Sequence, residues 1–131
     1  MEGGGLKVEK IPIQKCKDLD VYNLSFDIAM NIFKETKVFP KEELYSLVDQ
    51  MRRSSRSIPA NIREGFAKRK YPDVFTRHLN DALGSVEETL TWVDFAHKCG
   101  YMSEEKQQQF SEQYKILGAM LFKLMKNWKK F

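Results

Sequence analysis

Turns are what this sequence has least of. Three of its seven glycines are consecutive (Gly3, Gly4, Gly5), so only Gly65, Gly84, Gly100 and Gly118 remain, with four prolines, to punctuate the other residues of a 131-residue chain. That scarcity excludes an all-β protein. No apolar run approaches the roughly 18 residues of a membrane span, which excludes a membrane-spanning helix. The opening M-E-G-G-G-L has neither the basic start nor the apolar stretch of a secretory signal, so a cytoplasmic protein is expected. Cys16 and Cys99 lie far apart in a chain large enough to fold without cross-links and read as free thiols.

Patterns for catalysis and metal binding are equally thin. His78 and His97 are nineteen residues apart, and neither has a partner at the i+3 or i+4 spacing of a helical metal pair. There is no Glu-x-x-His pair for a di-iron bundle, no glycine-rich phosphate loop and no Gly-x-Ser-x-Gly elbow. Glu87 and Glu88 are adjacent and therefore splayed. A non-catalytic protein without metal or cofactor is the expectation.

What the chain does have is helix-forming sequence. Hydrophobic residues make up 42% and charged residues 31%, and the length fits one domain. Residues 1–17 show no apolar period and are expected to form a flexible or loosely docked arm; residues 18–131 carry the domain. Leu19, Tyr22, Phe26, Ala29 and Phe33 form one apolar stripe, with Val21, Leu24, Ile28 and Ile32 beside it. This predicts a first helix over about 19–37 with Asp18 as N-cap. Pro40 closes it, and Lys41-Glu42-Glu43 opens a long second helix whose core positions read Leu44, Leu47, Val48, Met51, Ser55, Ile58, Ile62 and Phe66. Pro59 should kink that helix without ending it, because the apolar face continues on both sides. Pro72 starts a third helix, with Phe75, Leu79, Ala82, Val86, Leu90 and Val93 inward and Gly100 as its end. Ser103 starts a fourth, in which Phe110, Tyr114, Leu117, Leu121, Leu124 and Trp128 face the core. Short connections between four amphipathic helices predict an all-α, antiparallel up-down-up-down four-helix bundle.

Charge is segregated along the chain. Residues 50–70 carry seven basic side chains against Glu64, and residues 115–131 carry five lysines and no acid, which leaves −7 for the remainder of a chain whose total is +4. Such segregation points to a polyanionic partner or to oppositely charged faces meeting between subunits. On a straight second helix, Arg52, Arg56, Arg63 and Lys70 fall within about 40° of arc and span about 27 Å. Aligned cations of this kind suit a phosphate backbone, although a merely solvated face and an acidic protein partner also fit. The lysines of the fourth helix (Lys115, Lys123, Lys126, Lys130) lie opposite its core stripe and read as solvated.

Two further groupings stand out. Arg53, Ser57, Asn61, Glu64 and Lys68 make a wholly polar stripe. Ser57 and Asn61 flank Pro59 and are placed to satisfy backbone groups there, the alternative being contacts from Asn61 and Glu64 to a neighbouring subunit. Gly84, Glu88, Trp92 and Phe95 lie on the outer face of the third helix, where large aromatics mark an oligomer interface, unless Trp92 is packed by a neighbouring element of its own chain. A close helix approach is expected at Gly84.

The stretch Q-M-R-R-S-S-R-S-I-P-A-N-I-R-E-G-F from Gln50 to Phe66, with A-L-G-S-V-E-E from Ala82 and G-Y-M-S-E-E from Gly100, resembles the small four-helix-bundle proteins encoded in intervening sequences of bacterial large-subunit ribosomal RNA genes. The resemblance runs from about Asp18 to Trp128. It implies an up-down bundle that assembles as a ring-shaped homopentamer, with no established enzymatic activity. Related accessory proteins of diversity-generating retroelements use such a ring to bind nucleic acid and a reverse transcriptase, so RNA or a reverse transcriptase is an implied partner. At Ser54, Ser55, Arg56 and Arg63 this chain departs from the usual small or apolar residues, adding two charges to the basic face. The combined expectation is an oligomeric scaffold that binds RNA or a nucleic-acid-handling protein through Arg52, Arg56, Arg63 and Lys70. The alternative is an adaptor whose charges serve self-assembly or an acidic protein.

Overall fold

Each stretch with a helical apolar period is a helix in the computed structural model, which describes residues 12–128. The order is a 3-10 turn (Cys16–Asp18), α1 (Asp20–Thr36), a second 3-10 turn (Lys41–Glu43), α2 (Leu47–Ala67), α3 (Pro72–Lys98) and α4 (Glu104–Asn127). α2 packs on both α1 and α3, α3 packs on α4, and α4 closes back on α1. Sequence neighbours are thus spatial neighbours all round, the up-down-up-down arrangement that short connections dictate. None of the helices over the described residues is long and apolar enough to cross a membrane.

The helix ends show why the boundaries fall where they do. Gly100 has φ +82°, and its N–H and that of Tyr101 bond back to the carbonyls of His97 and Ala96, both at 2.9 Å, the paired closure of a Schellman motif. Ser103 caps α4 by accepting from the Lys106 N–H at 3.1 Å. At the start of α1 the expectation is off by one residue. The Asp18 carboxylate accepts from the N–H groups of Gln14 and Lys15 at 3.0 and 3.1 Å, so it closes the preceding 3-10 turn and leaves Leu19 as N-cap. Those two bonds hold its carboxyl below the ordinary range. Of the expected arm, residues 1–11 lie outside the described residues; its last part is docked, with Cys16 buried and Ile13 packed against the core.

The predicted core residues are buried along α2, α3 and α4, with Leu90, Leu124 and Trp128 half-buried at its margin. The Trp128 ring stands edge-on to Phe75 at 4.7 Å. Two expectations fail. Lys41–Glu43 is a separate 3-10 turn, not the first turn of α2, and Leu44 is 43% exposed. The Glu43 carboxylate is held by the Ser46 hydroxyl at 2.6 Å and the Tyr101 hydroxyl at 2.8 Å, which pins this segment across the bundle end to the α3–α4 connection. The second failure is Phe26, 47% exposed: the core face of α1 is centred on Val21, Ile28 and Ile32. α2 passes through Pro59 unbroken.

From the core to its margin, a row of polar side chains joins α2 to α3, with Ser54 and Thr89 buried and the others half-buried. The Thr89 hydroxyl donates to the Ser85 carbonyl at 2.8 Å and lies 2.9 Å from the Ser54 hydroxyl. The Ser57 and Ser85 hydroxyls bond each other, and Asn61 Oδ1 is 3.2 Å from His78 Nδ1. Tyr114 Oη, fully buried beside this row, has no well-formed hydrogen bond among the described residues; burial pushes its phenol well above the ordinary range, and the nearby Thr89 hydroxyl only partly opposes that shift. Removing a buried, unpaired hydroxyl removes a desolvation cost. Tyr114→Phe is therefore expected to leave stability unchanged or to raise it by about 1 kcal/mol. Urea unfolding checks this, and a loss above about 1 kcal/mol would show that the hydroxyl is satisfied in solution.

Candidate nucleic-acid interface

The basic face of α2 is shaped by α1. Arg52 donates from Nε to Thr36 Oγ1 at 3.0 Å and its guanidinium sits 4.7 Å from the Phe33 ring centre. Arg56 lies over the same ring at 5.8 Å. Arg63 donates to the Tyr22 hydroxyl at 3.3 Å and stands 5.8 Å from the Tyr22 ring. The Tyr22 hydroxyl raises its pKa further, so its charge is fixed. Aromatic faces attract guanidinium groups, and these rings hold three long side chains along one line. Arg52 is half-buried; Arg56 and Arg63 are exposed. None of the three is paired with a carboxylate of the described residues, whereas Glu64 engages Lys68 at 3.6 Å.

Lys70 does not belong to this line. α2 ends at Ala67, and residues 68–70 turn toward Pro72, so Lys70 is exposed but off the helical phase that aligned it with Arg52. The break is a turn closed by the Lys68, Arg69 and Tyr71 N–H groups bonding to the Gly65, Phe66 and Lys68 carbonyls, and Pro72 holds Tyr71 extended before α3. Arg69 is ordered instead, stacked 4.0 Å from the Phe66 ring and donating to its carbonyl at 3.1 Å. Sequence phase does not single it out, because it too lies past the helix end.

Between α1 and α2, beside Arg56 and Arg63, runs an open groove of about 580 Å³. Tyr22, Phe26 and Met30 line one wall, Pro59 and Ala60 the other. Tyr22 and Phe26 come from the first apolar stripe of α1, whose Leu19 and Ala29 are buried.

The polar stripe divides. Asn61 Nδ2 donates to the Ser57 carbonyl at 3.0 Å and not to the Ser55 carbonyl, the one that Pro59 leaves without its helical donor, while Ser57 turns its hydroxyl to α3. Asn61 is thus occupied within its own chain. Arg53, Glu64 and Lys68 point to solvent. On α3 no described residue of the same chain approaches Gly84 closely, since a Cβ there would meet nothing within 4 Å. The close approach is at Gly65, where a Cβ would lie 2.5 Å from His78 Cβ and 3.1 Å from Phe75 Cδ1. Trp92 is half-buried against the core, its indole donating to Glu88 Oε2 at 3.2 Å, while Phe95 beside it is 52% exposed. With Tyr45, 89% exposed, they line a second groove of about 410 Å³.

Among the described residues no three His, Cys, Asp or Glu side chains gather as metal ligands. His97 Nδ1 is 3.0 Å from the Met102 carbonyl. Cys16 is buried and Cys99 exposed, both free; burial raises the Cys16 pKa and nearby Arg63 opposes that shift.

Comparison with known proteins agrees with this architecture. The chain is similar to a structurally characterised protein of unknown function from the S23 ribosomal protein family of Bacteroides thetaiotaomicron VPI-5482, with 24% identity and a TM-score of 0.72 over 81% of this chain and 95% of that one. At that identity the likeness establishes the fold. No curated protein matches the chain. The family model of the 23S rRNA-intervening sequence protein matches residues 17–123, from the first 3-10 turn deep into α4. On that match, joined to an all-helical bundle, the chain belongs to the 23S rRNA-intervening sequence protein family.

Proposed function

We propose that this chain is a non-catalytic, self-assembling scaffold that binds RNA through Arg56 and Arg63, with Arg52 adding charge from the margin. The observation that carries the reading is that both arginines are exposed, unpaired with carboxylates of the described residues and held over rings of α1. A cation already fixed in place loses less entropy on meeting a phosphate than a free lysine does. Nothing in the reading requires a cofactor. The assembly is a homo-oligomer, with the pentameric ring that the family resemblance implies, and Trp92, Phe95 and Tyr45 offer apolar contact area for it. Filter binding of an RNA fragment across a salt series tests the proposal. Two phosphate contacts per chain predict a log–log slope of about −1.4 to −1.8. No binding at low salt, or no salt dependence, would reject it.

The exposed Tyr45, Trp92 and Phe95 groove favours a second reading, an adaptor that docks a protein such as a reverse transcriptase or an acidic partner. Light scattering bears on both readings. A monomer at micromolar concentration would remove self-assembly and leave this groove free for a different protein.

A further inference from the structure

Phosphate contacts alone leave the groove between α1 and α2 without a role. Its lining is apolar apart from Arg56, Arg63 and Glu64, and it exposes Phe26 at 47% and Met30 at 42%. Its volume of about 580 Å³ is that of a small-molecule site. A duplex keeps its bases stacked inside and turns phosphates outward, so a duplex resting on Arg56 and Arg63 would bury none of this apolar surface. An unpaired strand carries both chemistries at once, anionic phosphates and flat base faces that stack on aromatic side chains.

Resting on the RNA-binding reading above, we infer that the α1–α2 groove is a subsite for single-stranded RNA. An unpaired base packs on Phe26 and Met30, and the flanking phosphates meet Arg56 and Arg63. The two arginines are seven residues apart, about 10.5 Å along the helix, and so bracket the groove instead of crowding one end of it. Tyr22 holds Arg63 at the rim, and Glu64, the one acid in the lining, is engaged by Lys68. An anionic ligand therefore meets two cations with no uncompensated acid between them.

Fluorescence anisotropy with a labelled single-stranded oligouridylate and an RNA duplex of equal length, on the full chain at low salt, tests the subsite. The single strand is expected to bind about 10-fold tighter than the duplex, by the stacking of one base. Phe26→Ala should weaken single-strand binding by about 10-fold and leave duplex binding unchanged, while Phe26→Trp retains tight single-strand binding. Equal affinity for both RNAs, or a Phe26→Ala variant that binds the single strand normally, overturns the subsite and leaves the RNA-binding reading standing. Failure to bind either RNA removes the RNA-binding reading itself. If Phe26→Ala alters the mass by light scattering, the groove is a contact between copies of the chain, and the subsite is again overturned.

Discussion

The double variant Arg56→Glu, Arg63→Glu is expected to lose RNA affinity by roughly 100-fold or more while keeping its fold. Each hydrogen-bonded charge contact is worth about 1.5–3 kcal/mol, and two together exceed the roughly 2.7 kcal/mol that corresponds to a 100-fold change. Reversal adds repulsion from the phosphates, so the effect should exceed that of truncation. Both side chains are exposed and lack carboxylate partners among the described residues, so the folded state loses only their contacts with Phe33 and Tyr22. At exposed sites each such contact contributes about 0.5–1 kcal/mol, so circular dichroism should show a helical protein with a slightly lowered Tm. Arg52 is unsuited to this test, because it is half-buried and bonded to the buried Thr36 hydroxyl. RNA affinity within threefold of the parent would refute the proposed site. Dissociation of the oligomer would assign the two arginines to self-assembly.

Two glycines in neighbouring helices should respond to the same substitution with opposite signs. In an exposed or unhindered helix position, Gly→Ala is favourable by about 1 kcal/mol because alanine loses less backbone entropy on folding. Gly84 meets that condition, since a Cβ there finds open space, and Gly84→Ala should stabilise by about that amount. Gly65 does not. Its new Cβ would lie 2.5 Å from His78 Cβ, an atom fixed to the α3 backbone and unable to swing aside. Relief requires α2 and α3 to separate along a seam where Ser57 meets Ser85 and Asn61 meets His78. Overpacking costs about 1–3 kcal/mol and occasionally more, and here the lost seam bonds add to it, so the clash outweighs the propensity gain. Gly65→Ala should destabilise by about 2 kcal/mol net, and thermal unfolding of the two variants should bracket the parent Tm. A stabilised Gly65→Ala variant would show that the two helices pack less closely there than the structure indicates.

These two glycines also show how far the sequence could be read. Gly65 follows Ile62 by three residues and precedes Phe66, on the buried face of α2, whereas Gly84 lies on the outer face of α3. The phase of Gly65 marks it as a contact point within the chain, whereas the expectation at Gly84 belongs to a contact between copies of the chain. The start of α1 is ambiguous in the sequence for a local reason: an aspartate can close either of two consecutive turns, and Asp18 takes the N–H groups of Gln14 and Lys15. Lys70 leaves the line of Arg52 because the turn toward Pro72 ends α2 at Ala67, before helical phase reaches it.

The four helices, their apolar stripes and the Gly100 and Ser103 ends follow from the order of residues alone, because period, capping and turn chemistry act within a few positions along the chain. How much of each apolar stripe of α1 enters the core was decided only in three dimensions. A helix can bury little more than one face against its neighbours, and the choice of Val21, Ile28 and Ile32 left Phe26 and Met30 lining a groove. The same packing brought Phe33 and Tyr22 beneath the arginines of α2, residues distant in sequence whose rings turn a row of cations into an ordered one.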